Sequence, residues 1–566
     1  PFSARLNGQP LFGDLSADLA SRAADISAVV TVKDIEKTPL GHPSEDLWLS
    51  GEATIRATGR VGPHGIDLKA SAEATRAGIG LEWWLRKPIG VGAAIHEARL
   101  TLEPGKLLKV EGEASVDATP IKALLEYDWG AKERKWQVRH IRVDLPYLDV
   151  NSAGKCFNLP YAITGTHAKD AYYERNRRGE RIDGNVMEIG GYIDRASLLP
   201  EGCPVPLICE GARVKVILDN QRQDLHFGDV TIETQRADVP PLTETWMLPL
   251  DAKADPEYLA AQAPGPPRLW TYHLAAAAVY MPPWQGENFT AEVKDTPETV
   301  SMEPFRAEVE GGRIEGYYSK VKETNDMRLR ASWEHLPVVY LLRHLELPEV
   351  LEGRVDGSVD YTMDTDDPGT LSGKGAFSVK DGRFFSDALI AYFGPAFFGT
   401  VSDLHPSELK FREFRSNVGL SGDRIQTDDI RLDLEGMSFT GSGTWITGGD
   451  IDYQITMSVQ PDTAEQIPIM KQSFNIEGFR LAQRTIDLGF RIRGPAFKPV
   501  SEISGLPPVG VTLVSGAAEM TGEAVRVFDL PRQLLFSLFK TGGGVIEATR
   551  QNMPQGPFRR KQNVGR

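Results

Sequence analysis

The stretch IDYQITMSVQ, residues 451–460, decides the fold class of this chain. Every second residue in it is apolar, and the residues between are polar. The apolar set is Ile451, Tyr453, Ile455, Met457 and Val459. Because successive side chains of a β-strand point to opposite faces of the sheet, this alternation predicts a strand with one apolar and one polar face.

The same alternation recurs along the chain. It is found at 141–145, 212–218, 354–361, 430–435 and 486–493. Where such segments follow one another closely, their spacing is typical of antiparallel, all-β proteins, and the βαβ spacing of a parallel sheet is absent. The 55 glycines and 38 prolines among 566 residues also favour strands and turns.

An apolar sheet face must be covered, and three architectures do this. A second sheet covers it in a sandwich, the sheet covers itself in a barrel, and a long curled sheet can hold lipid chains inside. The alternation is the same for all three. Its persistence through most of 566 residues favours a mainly β fold with one long, curled antiparallel sheet and a few short amphipathic helices.

Three apolar segments predict the short helices: 336–345, 384–398 and 530–540. The proline pairs within 236–300 predict an irregular connection there. The predicted organisation is a β-rich segment 1–235, the Pro-rich connection 236–300, a second β-region 301–520, and an amphipathic helix with a basic tail at 521–566.

The composition of the chain argues against some classes of function. A net charge of −15 argues against nucleic-acid binding, which needs clustered basic residues. No apolar run is long enough to span a bilayer. The start at Pro1 looks like a cut from a longer chain, so an export signal or anchor can lie upstream. Cys203 and Cys209 can pair across the loop between them, but the sequence does not require it.

No catalytic or metal motif is complete. His96-Glu97 lacks the second histidine of HExxH, because residue 100 is leucine. DTDDPG at 364–369 starts like a calcium loop, but Gly375 stands where that loop needs glutamate. Phosphate-binding glycine loops and a nucleophile elbow are also missing. We therefore expect no enzyme activity, no metal and no cofactor.

Several motifs of the second half follow a fixed order. They are LEGRVDGSVDY at 351–361, LSGKGAFSVKDGRF at 371–384 and FRIRGPAFKPV at 490–500, with the apolar segment 384–398 between the last two. In this order the chain resembles the AsmA-like proteins of Gram-negative envelopes, which include the TamB-like and YhdP-like bridge proteins. The resemblance is clearest over residues 333–500.

The resemblance implies a U-shaped, taco-like β-groove with an apolar interior. It also implies a non-enzymatic role in moving phospholipids between the inner and outer membranes. The expected location is the periplasm, with an inner-membrane helix upstream of this chain. The expected partners are phospholipid, one or both membrane surfaces and other envelope proteins.

Two sets of residues are candidates for lipid contact. The first set would line the groove and consists of Ile451, Tyr453, Ile455, Met457, Val459, Ile486, Leu488, Phe490 and Ile492. The second set would lie at the groove mouth or on a membrane, or form ordinary core, and consists of Phe384, Phe385, Leu389, Ile390, Tyr392, Phe393, Phe397 and Phe398. The segment 530–540 has the same two interpretations, and the basic residues 559–561 can touch anionic headgroups.

Two other functions fit the same patterns. The first is a structural or adhesive cell-surface β-protein whose apolar faces pack dry against each other. The second is a β-helix or sandwich enzyme acting on carbohydrate, which would need carboxylates and aromatic residues clustered on one face. The dispersed tryptophans, with only Trp83 and Trp84 adjacent, argue against the enzyme.

Overall fold

The computed structural model describes most of the chain up to residue 504. The described residues are 2–6, 9–18, 22–37, 47–63, 65–81, 85–103, 107–117, 119–130, 135–151, 161–177, 185–200, 207–219, 226–238, 268–281, 284–339, 351–364, 367–384, 409–446, 450–466, 470–471, 474–495 and 500–504. Their contacts divide the chain into two compact units. Unit 1 covers the described residues of Pro1–Pro282 and Val293–Pro297, and unit 2 covers those of Pro283–Glu292 and Glu298–Ile546.

Unit 1 is built almost entirely of strands. They are β1 (Phe2–Leu6), β2 (Gln9–Asp18), β3 (Ala23–Val32), β4 (Leu47–Gly51), β5 (Ala53–Gly62), β6 (Gly65–Glu73), β7 (Ala77–Leu81), β8 (Leu85–Lys87), β9 (Ala93–Glu103), β10 (Leu107–Val116), β11 (Thr119–Gly130), β12 (Lys135–Asp149), β13 (Tyr161–Gly165), β14 (His167–Arg177), β15 (Asn185–Pro200), β16 (Leu207–Asp219), β17 (His226–Asp238) and β18 (Arg268–Met281). A short 3-10 helix covers Ile35–Lys37.

The strands of unit 1 form one large sheet in nearly sequential order. The order is β1-β2-β3-β5-β6-β9-β10-β11-β12-β14-β15-β16-β17-β18, with β13 also paired to β15. Strands β4, β7 and β8 form a separate small sheet. All pairs are antiparallel except β17 and β18, which are parallel. The predicted antiparallel arrangement departs from the structure only at this pair of the described strands, where the connection is long enough for the return that parallel strands need.

In its described residues unit 2 continues with strands and adds two short helices, and the last residues of its first strand, from Val293 on, are grouped with unit 1. The strands are β19 (Trp284–Asp295), β20 (Thr299–Val309), β21 (Gly312–Val321), β22 (Asp326–Pro337), β23 (Leu351–Asp364), β24 (Asp367–Phe384), β25 (Leu409–Ser421), β26 (Arg424–Leu434), β27 (Met437–Ile446), β28 (Asp450–Val459), β29 (Ile486–Pro495) and β30 (Val500–Ser504). The helices are α1 (Pro461–Gln466) and α2 (Ile476–Leu481). From β20 to β30 each strand pairs antiparallel with the next. The mainly β prediction is confirmed.

Two of the predicted helices begin as strand in the structure, and the first of them then has helical residues at 338–339. Leu336 and Pro337 belong to β22, where Leu336 pairs with Val355, and Phe384 ends β24 opposite Leu409. In both places the strand's pairing with its neighbour continues into the segment that local apolar composition assigned to a helix. Residues 340–345, 385–398 and 530–540 lie outside the described residues.

The predicted irregular connection 236–300 is wrong over most of its described part. Arg268–Met281 and Trp284–Asp295 are strands, and β20 begins at Thr299. The proline pairs of this segment lie outside the described residues. The division between the two units falls inside the predicted connection.

The structure does not bear out the optional pairing of Cys209 with Cys203. Cys209 lies in β16 and carries a free thiol. Burial raises the pKa of this thiol, with a smaller contribution in the same direction from Asp238. Cys203 lies outside the described residues.

Candidate functional site

The strand register of unit 1 aligns apolar side chains into a row that crosses the sheet. We call it the unit 1 row, and it runs through Ile26, Gly59, Leu68, Leu100, Val110, Leu125, Ile141, Arg175, Met187, Leu218, Gly228 and Trp270, each paired with the next. All members but Arg175 are uncharged. The row reaches from β3 to β18, so a single face of unit 1 is apolar across its strands.

A second row lies beside it on the same face. This small-residue row runs through Ala28, Ala57, Ala70, Ala98, Gly112, Ala123, Val143, Tyr173, Ile189, Val216, Val230 and Tyr272. Its first six members are alanine or glycine. Such short side chains cannot cover the neighbouring row, which leaves a shallow apolar surface.

Much of this face of unit 1 is open. Leu68, Leu100 and Leu125 are only half-buried. Ile189, in the small-residue row, is 43 % exposed. Large aliphatic side chains are usually buried in a protein core, so the half-buried apolar patch from β6 to β12 indicates a surface that contacts something else.

Unit 2 has an equivalent row with a different environment. The unit 2 row runs through Met302, Tyr318, Leu329, Tyr361, Gly373, Leu420, Ile425, Trp445, Ile451 and Gly494. All of its side chains are buried, from Tyr361 at 1 % exposed to Ile451 at 8 %. The apolar face of unit 2 is therefore buried along its row. That of unit 1 is half-buried from β6 to β12 and buried toward β18, where Met187, Leu218 and Tyr272 are 2–4 % exposed.

Aromatic rings laid over glycines close the face of unit 2. A Cβ placed on Gly443 would lie 2.3 Å from the ring of Tyr453. A Cβ on Gly357 would lie 2.5 Å from Trp333. Only glycine leaves room for the ring at these positions, so each pair covers backbone and neighbouring side chains together.

The predicted groove residues lie together on β28 and β29. Tyr453 pairs with Ile492, Ile455 with Phe490, Met457 with Leu488, and Val459 with Ile486, while Ile451 pairs with Gly494. Eight of the nine are buried, and Ile455 is half-buried. The sequence thus placed them correctly on one face, but their contact with lipid stays a prediction.

The helical segment after β28 covers part of that face. Ala464 from α1, Ile476 from α2 and Met470 between the helices pack against Met457, Val459, Ile486 and Leu488 in one cluster. Val459, Ile486, Ala464 and Met470 are all 0 % exposed. Protein side chains therefore already occupy the place that a lipid chain would take at this end of the strands.

Burial on the unit 2 face also changes the ionisation of its tyrosines. It raises the pKa of Tyr361 far above the ordinary value, because the phenolate would lose its hydration. Burial raises the pKa of Tyr453 in the same way, and a hydrogen bond with Thr427 opposes part of that rise. These hydroxyls are neutral members of a core and not acid–base groups for neutral pH.

The opposite, polar faces carry paired charges. Arg491 donates from Nε and Nη2 to the carboxylate of Asp452 at 3.1 and 2.9 Å. Arg328 holds Asp360 in the same way, with both distances 3.0 Å. These hydrogen bonds lower the pKa of both carboxylates. These arginines and carboxylates therefore engage each other on the solvated face.

An open depression on the outer face of unit 1 has the same character. Its lining includes Asp25, Arg60 and Arg99, and Arg99 holds Asp67 through two hydrogen bonds of 3.0 and 2.8 Å. Among the described residues no group of three or more His, Cys, Asp or Glu could hold a metal ion. Within the same residues no helix is long and apolar enough to cross a membrane.

One residue of the candidate face was missed from the sequence. Arg175 in β14 pairs with Ile141 on one side and Met187 on the other, so it lies within the apolar unit 1 row. In the sequence YYERNR it looks like one more member of a polar run. Only its spacing of two from Tyr173 indicates that it shares the apolar face.

The second set of candidates is not placed beyond its first member. Phe384 ends β24, and Phe385, Leu389, Ile390, Tyr392, Phe393, Phe397 and Phe398 lie outside the described residues. Their role at a membrane or a groove mouth stays a prediction.

No model of a known protein family matches the chain, and no curated protein matches it significantly. The resemblance to AsmA-like proteins therefore still rests on the ordered motifs between residues 333 and 500.

Proposed function

We propose that this chain is a non-enzymatic lipid-handling protein of a Gram-negative cell envelope. In this proposal unit 1 shields phospholipid acyl chains on its apolar face while they pass between the inner and outer membranes. Phospholipid and membrane surfaces are its partners, with other envelope proteins supplying any direction. We place the lipid-contact site on unit 1 and not on β28 and β29, because the apolar face of unit 1 is the less buried of the two.

The observation that supports the proposal most is the half-exposed unit 1 row. Leu68, Leu100, Val110 and Leu125 form four consecutive steps of it on adjacent strands, and all are half-buried. Neighbouring strands lie about 4.8 Å apart, so the half-buried stretch from Leu68 on β6 to Ile141 on β12 offers an apolar path of roughly 20 Å measured along the sheet. A chain moving along it exchanges one set of aliphatic contacts for a nearly identical set.

The energetics fit passive carriage. Removing one CH₂ from water is worth about 0.8 kcal/mol, so complete burial of a sixteen-carbon chain is worth roughly 10 kcal/mol. A half-open face provides a fraction of this. That holds an acyl chain without a specific headgroup contact, and the similarity of successive steps keeps barriers between them low.

A second function is favoured by a different observation. The unit 2 row is closed by its own aromatic side chains, as expected for a structural or adhesive β-protein with a dry core. If unit 1 is covered by another protein surface and not by lipid, the whole chain would serve as such a scaffold. The carbohydrate-enzyme alternative gains no support from the described residues.

The test is lipid occupancy of the purified chain. Native mass spectrometry after gentle detergent removal, followed by extraction and lipid identification, should find phospholipid in fixed stoichiometry. The variant Leu68→Asp puts a charge on the open face and should lose the lipid while remaining folded. Thr58→Asp, exposed on the outer face of the neighbouring strand opposite Lys69, is the matched control and should keep it.

Two results would overturn the lipid function. One is a clean apo mass together with no uptake of fluorescent phospholipid. The other is equal loss of lipid in Leu68→Asp and Thr58→Asp, which would mean that the lipid adheres without using the apolar face. Circular dichroism of both variants separates loss of binding from loss of fold.

A further inference from the structure

Arg175 is the one charged residue of the unit 1 row. Its neighbours along the row are Ile141 and Met187, and Met187 is 2 % exposed. Every other member from Ile26 to Trp270 is uncharged. A guanidinium on an otherwise apolar surface is costly, because a buried charge without a partner loses hydration that nothing replaces.

The side chain has no hydrogen-bond or ion-pair partner among the described residues. Arg175 is half-buried, and its Nε is buried without a hydrogen bond. It forms no ion pair with any residue that the structure describes. Arg142, which lies on the neighbouring strand and on the polar face, shows the usual arrangement: it holds Asp144 at 2.9 Å and Glu174 at 3.2 Å.

The surroundings suit the head of an amphiphile. On β11, Tyr127 lies two residues beyond Leu125 on the same face. Burial raises the pKa of the Tyr127 hydroxyl and the charge of Arg175 opposes that rise, so the two groups interact electrostatically. In the next row Ile189 exposes 43 % of its surface. A cation and a neutral hydroxyl thus border an exposed aliphatic surface.

We propose that Arg175 binds the anionic head of an acyl lipid, a phosphate or a carboxylate, whose chain lies along the apolar face of unit 1. The proposal rests on the proposed lipid-handling function and adds charge selectivity to it. The guanidinium fork matches the two oxygens of such a group, and the pair replaces the missing partner of Arg175. The head is thereby fixed at β14 while the chain keeps its aliphatic contacts.

The experiment compares two ligands with identical acyl chains. Dioctanoyl phosphatidylglycerol carries the phosphate, and dioctanoylglycerol does not. Binding of each is measured for the wild-type chain and for Arg175→Met, which keeps the length of the side chain without its charge. Arg213→Met, on the exposed face of β16, removes the same charge elsewhere and is the matched control.

The expected result is a loss of about tenfold or more in the affinity of Arg175→Met for phosphatidylglycerol, as for a charged hydrogen bond. Affinity for dioctanoylglycerol should be unchanged, and Arg213→Met should bind both ligands as the wild type does. Arg175→Lys should keep part of the preference, since it retains the charge but not the fork. Arg175→Gln replaces Arg175→Met if the latter does not fold.

Other outcomes overturn the proposal in distinguishable ways. Unchanged binding of phosphatidylglycerol by Arg175→Met, or an equal loss for both ligands, removes Arg175 from headgroup binding but leaves the lipid function intact. Inorganic phosphate that binds as tightly as the lipid, with the same dependence on Arg175, would make this a free-anion site. No binding of either lipid by the wild type means that the proposed function itself fails.

Discussion

The two units share the same alternation of apolar and polar residues, but their apolar faces are buried to different degrees. In unit 1 the row is half-buried from Leu68 to Ile141, whereas in unit 2 the row through Leu329 and Tyr361 is buried throughout. The difference lies in the neighbours. Unit 2 lays aromatic rings over glycines along its row. Unit 1 does this at Gly228 under Trp270, at the buried end of its row, but from β3 to β11 it places alanines and a glycine beside its aliphatic side chains. Alternation therefore determines which face is apolar, while side-chain size determines whether that face is closed.

The largest expected effect on the free energy of unfolding comes from placing a carboxylate in the unit 2 row, compared with the same change in the unit 1 row. Leu329→Asp buries an unpaired carboxylate at a site that is 4 % exposed, and we expect a loss of more than about 4 kcal/mol in the free energy of unfolding. Leu100→Asp, at a half-buried site, should cost about 1–2 kcal/mol. Urea denaturation with peptide-resolved hydrogen exchange assigns each loss to its unit. Similar losses in the two units would refute the comparison.

A smaller effect should follow from filling the space under a ring. Gly443→Ala places a methyl group 2.3 Å from the ring of Tyr453, and the resulting strain should cost about 1–3 kcal/mol. Gly419→Ala is the matched control, because the nearest atom to its new Cβ lies 3.8 Å away. It should change the unfolding free energy by less than about 0.5 kcal/mol. If Gly443→Ala were equally neutral, rings over glycines would not be what closes unit 2.

The buried tyrosines of unit 2 predict an alkaline limit to its stability. Burial raises the pKa of Tyr361 in the folded state above the ordinary value of 10.0. Its contribution is thus fully present below pH 10 and declines as the pH rises further, since only the unfolded state ionises readily. Absorbance of the phenolate during an alkaline titration should show a late phase that Tyr361→Phe removes. An early, reversible ionisation of Tyr361 would mean that this face is open.

The smallest expected effect concerns the polar face. Arg328 and Arg330 reach Asp360 at 3.0 and 3.3 Å and lower its pKa, so its contribution is present at neutral pH and is lost as the pH falls through that lowered value. Asp360→Asn should cost at most about 1 kcal/mol at neutral pH and nothing at strongly acidic pH. Unfolding curves at both pH values measure this, and a cost that grows in acid would contradict it.

The sequence predicted what depends on local alternation and missed what depends on contacts between strands. The apolar positions of β28 and β29 followed directly from their period of two. The cover provided by Ala464 and Ile476 did not, because α1 and α2 are six residues each and carry no strong periodic signal. The position of Arg175 in an apolar row depends on strand register, which is shifted by an irregularity between Lys169 and Tyr172.

The central claim is that lipid contacts the apolar face of unit 1 and not that of unit 2. Photolabelling with a phospholipid that carries a diazirine in its acyl chain, followed by peptide mass spectrometry, tests it directly. The account predicts labels on peptides of β6, β9, β11 and β15, which contain Leu68, Leu100, Leu125 and Ile189. Labels concentrated on β28 and β29, at Ile451–Val459 and Ile486–Ile492, would contradict it, and so would the absence of any label.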